Sequence, residues 1–166
     1  MDAQGPNKAL PYIQNAKTTY TNVIDEDNLL GQILGFKAIP NGLLIDENGI
    51  LKYMQFGGFD IQKSGTAEIV AEWVKPASFT GGTPLPAKIP EDDKHFEAIA
   101  LFQQGTHAFR QGDTAAALGK WRNAMALAPD NLVIRKQIWA VENPDKFYSG
   151  TDVDYNWQRE QFEKGL

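Results

Sequence analysis

The 166-residue sequence contains no cysteine, which excludes disulfide bonds, thiolate metal sites and catalytic thiols from this chain. No apolar run reaches the length of about 18 residues that a membrane-spanning helix needs, and we expect no membrane span. The start, Met1-Asp2-Ala3-Gln4-Gly5-Pro6, is polar and is unlike a signal peptide. These features do not identify a compartment, and they favour the cytoplasm only slightly for the chain as given.

Positive charge and histidine are also scarce. The 16 lysines and arginines face 21 aspartates and glutamates, and the net charge of −5 predicts no nucleic-acid partner. The two histidines, His95 and His107, lie about 18 Å apart along one predicted helix, so they cannot share a metal ion within one chain. The acidic run Asp25-Glu26-Asp27 lacks the ligand pattern of an EF-hand and predicts helix capping. We therefore expect no catalytic residue, metal or cofactor.

Proline and glycine are concentrated in one stretch that divides the sequence. Lys75 to Pro90 contains four of the nine prolines together with Gly81-Gly82, which no regular element accepts. Prolines favour an extended, semi-rigid spacer. The sequence therefore predicts an α+β protein with three regions: an α/β segment over 1–75, a linker over 76–93, and a helical domain with an aromatic tail over 94–166.

The α/β segment is predicted to contain a β-hairpin. Helices are expected over 6–16, 29–34 and 66–74, and extended structure over 18–24. Ile39 to Ile45 and Ile50 to Phe56 are β-type runs, and Gly49 between them suits the left-handed conformation of a bulged hairpin loop. Asp25 to Asn28 offers an N-cap for the second helix, and Gly35 suits the residue that ends it.

Three segments of this region carry a family pattern. They are Asp25-Glu26-Asp27-Asn28-Leu29-Leu30, Gly35-Phe36-Lys37-Ala38-Ile39-Pro40 and Leu44-Ile45-Asp46-Glu47-Asn48-Gly49. In order and spacing they resemble the second half of a thioredoxin-like domain of the redoxin or thiol-disulfide oxidoreductase kind, over residues 2–74. The resemblance implies a cis Ile39–Pro40 bond that shapes a peptide groove. The alternative is a trans proline at the start of a strand, since only about 5–6% of X–Pro bonds in folded proteins are cis.

The early strand, helix and Cys-x-x-Cys of that family have no counterpart here. We therefore expect the chain to begin part-way through the usual domain. Two functions follow: a non-catalytic interaction or scaffold protein, or the fragment of a thiol-disulfide oxidoreductase whose redox-active part lies outside this chain. The resemblance also leaves Leu43 to Ile45 without a neighbouring strand. Because unpaired apolar strand edges associate readily, we expect either a homodimer through this edge or helices that fold over it.

The helical domain carries a second pattern, at seven positions between residues 98 and 131. They are Leu101, Gly105, Gly112, Ala117, Trp121, Ala124 and Pro129. Their spacing resembles a single tetratricopeptide repeat, in which small residues let two helices approach and a large one fills the gap. We expect a helix pair over 94–111 and 113–128 and a capping helix over 132–142.

The second resemblance implies a concave face that binds a protein or peptide partner. Its candidate residues are Phe102, Thr106, Phe109 and Arg110. The alternative is that this unit only packs or dimerises, because one repeat offers little area. The aromatic residues of the tail are expected to dock onto the helices; they are Tyr148, Tyr155, Trp157 and Phe162.

Overall fold

The computed structural model describes residues 5–75, 93–148 and 154–165. In chain order these form α1 (Pro6–Asn15), α2 (Leu29–Leu34), β1 (Gly42–Ile45), β2 (Leu51–Gln55), α3 (Ser64–Trp73), α4 (Asp93–Arg110), α5 (Thr114–Leu127), α6 (Leu132–Glu142), α7 (Asp145–Tyr148) and α8 (Tyr155–Glu163). This confirms a mixed α and β structure. Apart from Asp93, the predicted linker lies outside the described residues. None of the described helices has the length and apolar character needed to cross a membrane.

The predicted hairpin is confirmed, with β1 and β2 paired antiparallel and an irregularity between Leu44 and Ile45. Its turn is held by the Asp46 carboxylate, which accepts hydrogen bonds from the amides of Asn48 (3.0 Å) and Ile50 (2.8 Å). The bond from Ile50 is the main reason that the pKa of Asp46 lies below its usual value. Gly49 has φ 78°, the left-handed conformation expected from the sequence.

Residues 18–24 do not form the extended segment expected of them. They belong to a loop in which the Asn22 side chain donates to the Thr18 hydroxyl (2.7 Å) and to the Tyr20 carbonyl (2.9 Å). Short polar side chains compete in this way for local backbone groups. The β-type composition of the segment was therefore not sufficient to give a strand.

The main core lies between α4 and α5, around Trp121. The Trp121 side chain is fully buried, and its indole N–H donates to the Phe102 carbonyl at 3.0 Å. Its ring lies 6.0 Å from that of Phe102 and 5.6 Å from that of Phe109, between centroids. Gly105 makes room for the indole, because a Cβ at this position would lie 2.6 Å from two of its ring atoms. The close approach expected at this glycine is therefore present.

The third helix of this unit, α6, has the predicted bounds. Asn131 caps it by accepting from the amides of Val133 (3.0 Å) and Ile134 (3.3 Å). Val133, Ile134 and Ile138 join the buried cluster around Trp121. The third helix therefore covers apolar surface that the α4–α5 pair alone would leave exposed.

The aromatic tail docks in part, as two of its side chains show. Trp157 packs edge-on against Trp139 at 5.7 Å between ring centroids, and Phe162 lies 5.6 Å from the Arg135 guanidinium carbon. Tyr155, the first residue of α8, is 66% exposed and departs from the expectation. The side chain of Tyr148 lies outside the described residues.

The α/β segment rests directly on the helical domain. The Lys37 ammonium lies 2.8 Å from the Asp130 carboxylate, and the Lys37 carbonyl accepts from the Leu132 amide at 2.8 Å. Lys37 is the main reason that the pKa of Asp130 is lowered. Gln103 on α4 donates to the Asp27 carbonyl at 2.9 Å. The two regions are therefore in contact as well as being joined through the chain.

Candidate functional site

The loop before β1 contains the cis peptide bond between Ile39 and Pro40 that the sequence predicted. Asn41 holds this loop, because its Nδ2 donates to the Ala38 carbonyl and its Oδ1 accepts from the Gly57 amide, both at 2.8 Å. Ile39 is 50% exposed, and Pro40 is exposed as well. The loop is thereby tied to the end of β2 while the Ile39–Pro40 pair faces solvent.

The groups presented by this loop are mainly apolar side chains and backbone carbonyls. Ile39 and Pro40 present apolar surface and backbone carbonyls, and the nearest cation in the sequence, Lys37, is paired with Asp130. Among the described residues, no three His, Asp or Glu side chains converge on a possible metal site. The described part of the loop therefore contributes a shaped apolar surface.

Helix α2 presents further apolar surface because of the way it is capped. The Asp25 carboxylate accepts from the amides of Leu29 (2.8 Å) and Leu30 (2.9 Å), whereas Asn28, at the N-cap position, makes no capping bond. Asn28 and Gly31 are buried instead. The opposite side of the helix leaves Leu29, Leu30 and Ile33 about half exposed.

Exposed apolar side chains are abundant throughout residues 5–75. Thirteen large ones are exposed: Leu10, Tyr12, Tyr20, Val23, Leu29, Leu30, Ile33, Ile39, Ile45, Ile50, Phe56, Ile61 and Val74. Only Phe36 and Leu44 are buried hydrophobic residues in the same region. In the described residues from 93 onward, Phe96, Tyr155 and Phe162 alone are large, apolar and exposed. Among the described residues, the α/β segment thus has most of the exposed large apolar side chains.

The structure distributes the four candidate peptide-binding residues differently from the expectation. Phe102 and Thr106 are fully buried, and the Thr106 hydroxyl donates to the Phe102 carbonyl at 3.0 Å. Phe109 packs against Trp121. Arg110 forms ion pairs with Asp27 (2.9 Å) and Glu26 (3.3 Å). These residues share one side of α4. That side is in contact with α5 and with the α/β segment.

Sequence reasoning did not identify Asn41 as the residue that holds the cis-proline loop. The available signal was an asparagine directly after a proline, a position at which Asn side chains often bond local backbone. No pattern in the nearby sequence indicated that Arg110 would pair with residues 26 and 27.

Comparison with protein-family models, curated proteins and solved structures finds no match to this chain.

Proposed function

We propose that this chain is a non-catalytic protein-interaction or scaffold module. It combines a thioredoxin-like segment over 1–75 with a tetratricopeptide-like helical unit over 94–166. The cis Ile39–Pro40 bond directly before a β-hairpin supports the first resemblance. The packing of Trp121 against Gly105 between α4 and α5 supports the second.

The observation that carries the proposal is the exposed apolar surface of residues 5–75. Two buried hydrophobic side chains, Phe36 and Leu44, are few for a region of this length. A two-stranded sheet is itself only marginally stable in water. Because exposed apolar surface of this extent marks interaction sites, the segment gains stability when another polypeptide covers it.

The edge of β1 is suited to pair with the same edge of a second copy of the chain. Within the described residues β1 pairs only with β2, so one edge of Leu43 to Ile45 has no strand beside it. Ile45 at this edge is 49% exposed. Two copies can pair these edges around a two-fold axis, which satisfies backbone groups and buries apolar side chains together.

The dimer is tested by light scattering on a dilution series of the full chain, with Ile45→Lys as the variant. We expect a dimer at micromolar concentration and at least about tenfold weaker association in the variant. In a symmetric interface each of the two copies contributes one new lysine, so two positive charges are brought together at the strand edge. Ile61→Lys is the matched control: it changes an exposed isoleucine away from β1 and should leave association unchanged. A wild-type monomer across the micromolar range contradicts the dimer.

A second candidate function is favoured by the cis Ile39–Pro40 bond. In this alternative, residues 1–75 belong to a thioredoxin-like thiol-disulfide oxidoreductase whose Cys-x-x-Cys part lies outside this chain. The coding sequence directly upstream of Met1 distinguishes this function from the interaction module. An in-frame strand followed by Cys-x-x-Cys is expected for the oxidoreductase. A stop codon and a ribosome-binding site there are expected for the interaction module.

A further inference from the structure

A cleft of about 290 Å³ lies between α6 and α8, on the helical domain. Its walls are mainly aromatic, and its polar groups include two cations and one side-chain amide. The residues used below are Lys136, Trp139, Tyr155, Gln158, Arg159 and Phe162. No acidic side chain lines it. In a chain with a net charge of −5, a cleft whose only charged side chains are cations is a local exception.

The two cations of the cleft, Lys136 and Arg159, form no ion pair or hydrogen bond in the described structure. Other basic residues of the chain do pair, as Lys146 does with Asp154. Lys136 is half-buried, and this burial lowers the pKa of its ammonium. A partly dehydrated, unpaired cation interacts more strongly with an anion than an exposed one does.

Gln158 provides a second, independent sign of a ligand. It is only 5% exposed, and its buried Oε1 has no hydrogen-bond partner in the described structure. Leaving a buried acceptor unpaired is costly, so a donor that reaches Oε1 when the Gln158 amide turns toward the cleft is favoured. The anion and the donor can belong to one molecule, since Lys136, Gln158 and Arg159 line the same cleft.

The aromatic side chains of the cleft differ in how firmly they are packed, because Trp139 is buried whereas Tyr155 and Phe162 are 66% and 53% exposed. Trp139 meets Trp157 edge-on at 5.7 Å between ring centroids. The Arg135 guanidinium carbon lies 5.6 Å from the centre of the Phe162 ring. Tyr155 adds a third aromatic side chain at the first residue of α8. The buried Trp139 ring therefore offers a fixed surface for a flat apolar body, and Tyr155 and Phe162 flank it.

We propose that this cleft binds a small aromatic carboxylic acid that carries a ring hydroxyl or ring N–H. The carboxylate lies between Lys136 and Arg159, the ring contacts Trp139 and Phe162, and the ring donor reaches Gln158. The volume of about 290 Å³ lies just below the range of about 300–1,000 Å³ for ligand pockets, which favours a single-ring molecule.

Calorimetric titration of the full chain with 4-hydroxyphenylacetate tests this. We expect saturable binding, weaker binding of phenylacetate, and none of the neutral 4-hydroxyphenylacetamide or of inorganic phosphate. Lys136→Gln and Arg159→Gln should each weaken binding about tenfold or more, the usual effect of losing a charged hydrogen-bond donor. Lys120→Gln removes the same charge from an exposed site on α5 and should have no effect.

The inference fails if the acid and its amide bind equally, if phosphate or an acidic peptide binds and the aromatic acid does not, or if nothing binds. Equal losses in Lys136→Gln and Lys120→Gln would also overturn it, because only net charge would then matter. Arg159 is exposed, so Arg159→Gln keeps the test valid if the half-buried Lys136 variant misfolds. The outcome is independent of dimerisation through β1.

Discussion

Replacing Trp121 with alanine is expected to lower the free energy of unfolding by about 3–5 kcal/mol. The substitution removes the largest fully buried side chain and leaves a cavity between α4 and α5. It also removes the indole hydrogen bond to the Phe102 carbonyl. Since small domains are stable by only about 5–15 kcal/mol, a large part of the helical unit's stability would be lost.

Urea denaturation followed by far-ultraviolet circular dichroism measures this loss. Tyr155→Ala is the control, because it truncates an aromatic residue that is 66% exposed and should change stability by no more than about 0.5 kcal/mol. Similar losses in the two variants would contradict the position of Trp121 at the centre of the core.

The same substitution at two helical glycines, Gly105→Ala and Gly119→Ala, should have effects of opposite sign. A Cβ at Gly105 would lie 2.6 Å from two ring atoms of Trp121 and 3.0 Å from the Ala117 carbonyl oxygen. The resulting overpacking exceeds the gain in helix propensity, for a net loss of roughly 1–2 kcal/mol. A Cβ at Gly119 meets nothing within 4 Å, so alanine there should stabilise by about 0.4–1 kcal/mol.

Thermal and urea unfolding of the two alanine variants, each compared with the wild type, give the signs directly. Both variants replace a glycine inside a helix with alanine, so the gain in helix propensity is the same in each and cancels when the two are compared. Stabilisation by both substitutions would mean that α4 and α5 do not approach as closely as their packing around Trp121 requires.

The connection between the α/β segment and the helical domain is weak in energetic terms. The ion pair of Lys37 with Asp130 and that of Arg110 with Asp27 have substantially exposed partners. Exposed pairs of this kind contribute about 0–1 kcal/mol each and are screened by salt. The thirteen exposed large apolar side chains of residues 5–75 show separately that the helical domain leaves much of this surface uncovered, in agreement with the proposal that a partner chain covers it.

Local structure was readable from the sequence wherever one or two residues determine it. The bounds of α2 and α6 match their predictions, because Gly35 in the left-handed conformation ends the first and Asn131 caps the second. The hairpin turn follows from Gly49 in the same way. These features depend on backbone conformations and hydrogen bonds within a few residues, which sequence patterns encode directly.

Only the tertiary structure decided which surfaces are open. Helical spacing grouped Phe102, Thr106 and Phe109 on one side of α4, but periodicity does not say whether that side meets a ligand or a neighbouring helix. The pairing of Arg110 with Asp27 spans 83 positions, and the cleft at Lys136 needs α6 and α8 to meet. The sequence by itself determined α1 to α6, the hairpin and the absence of thiols, whereas α7 and α8 were not predicted from it. Long-range packing decided which side chains remain free to bind, because burial depends on the neighbours that the fold supplies.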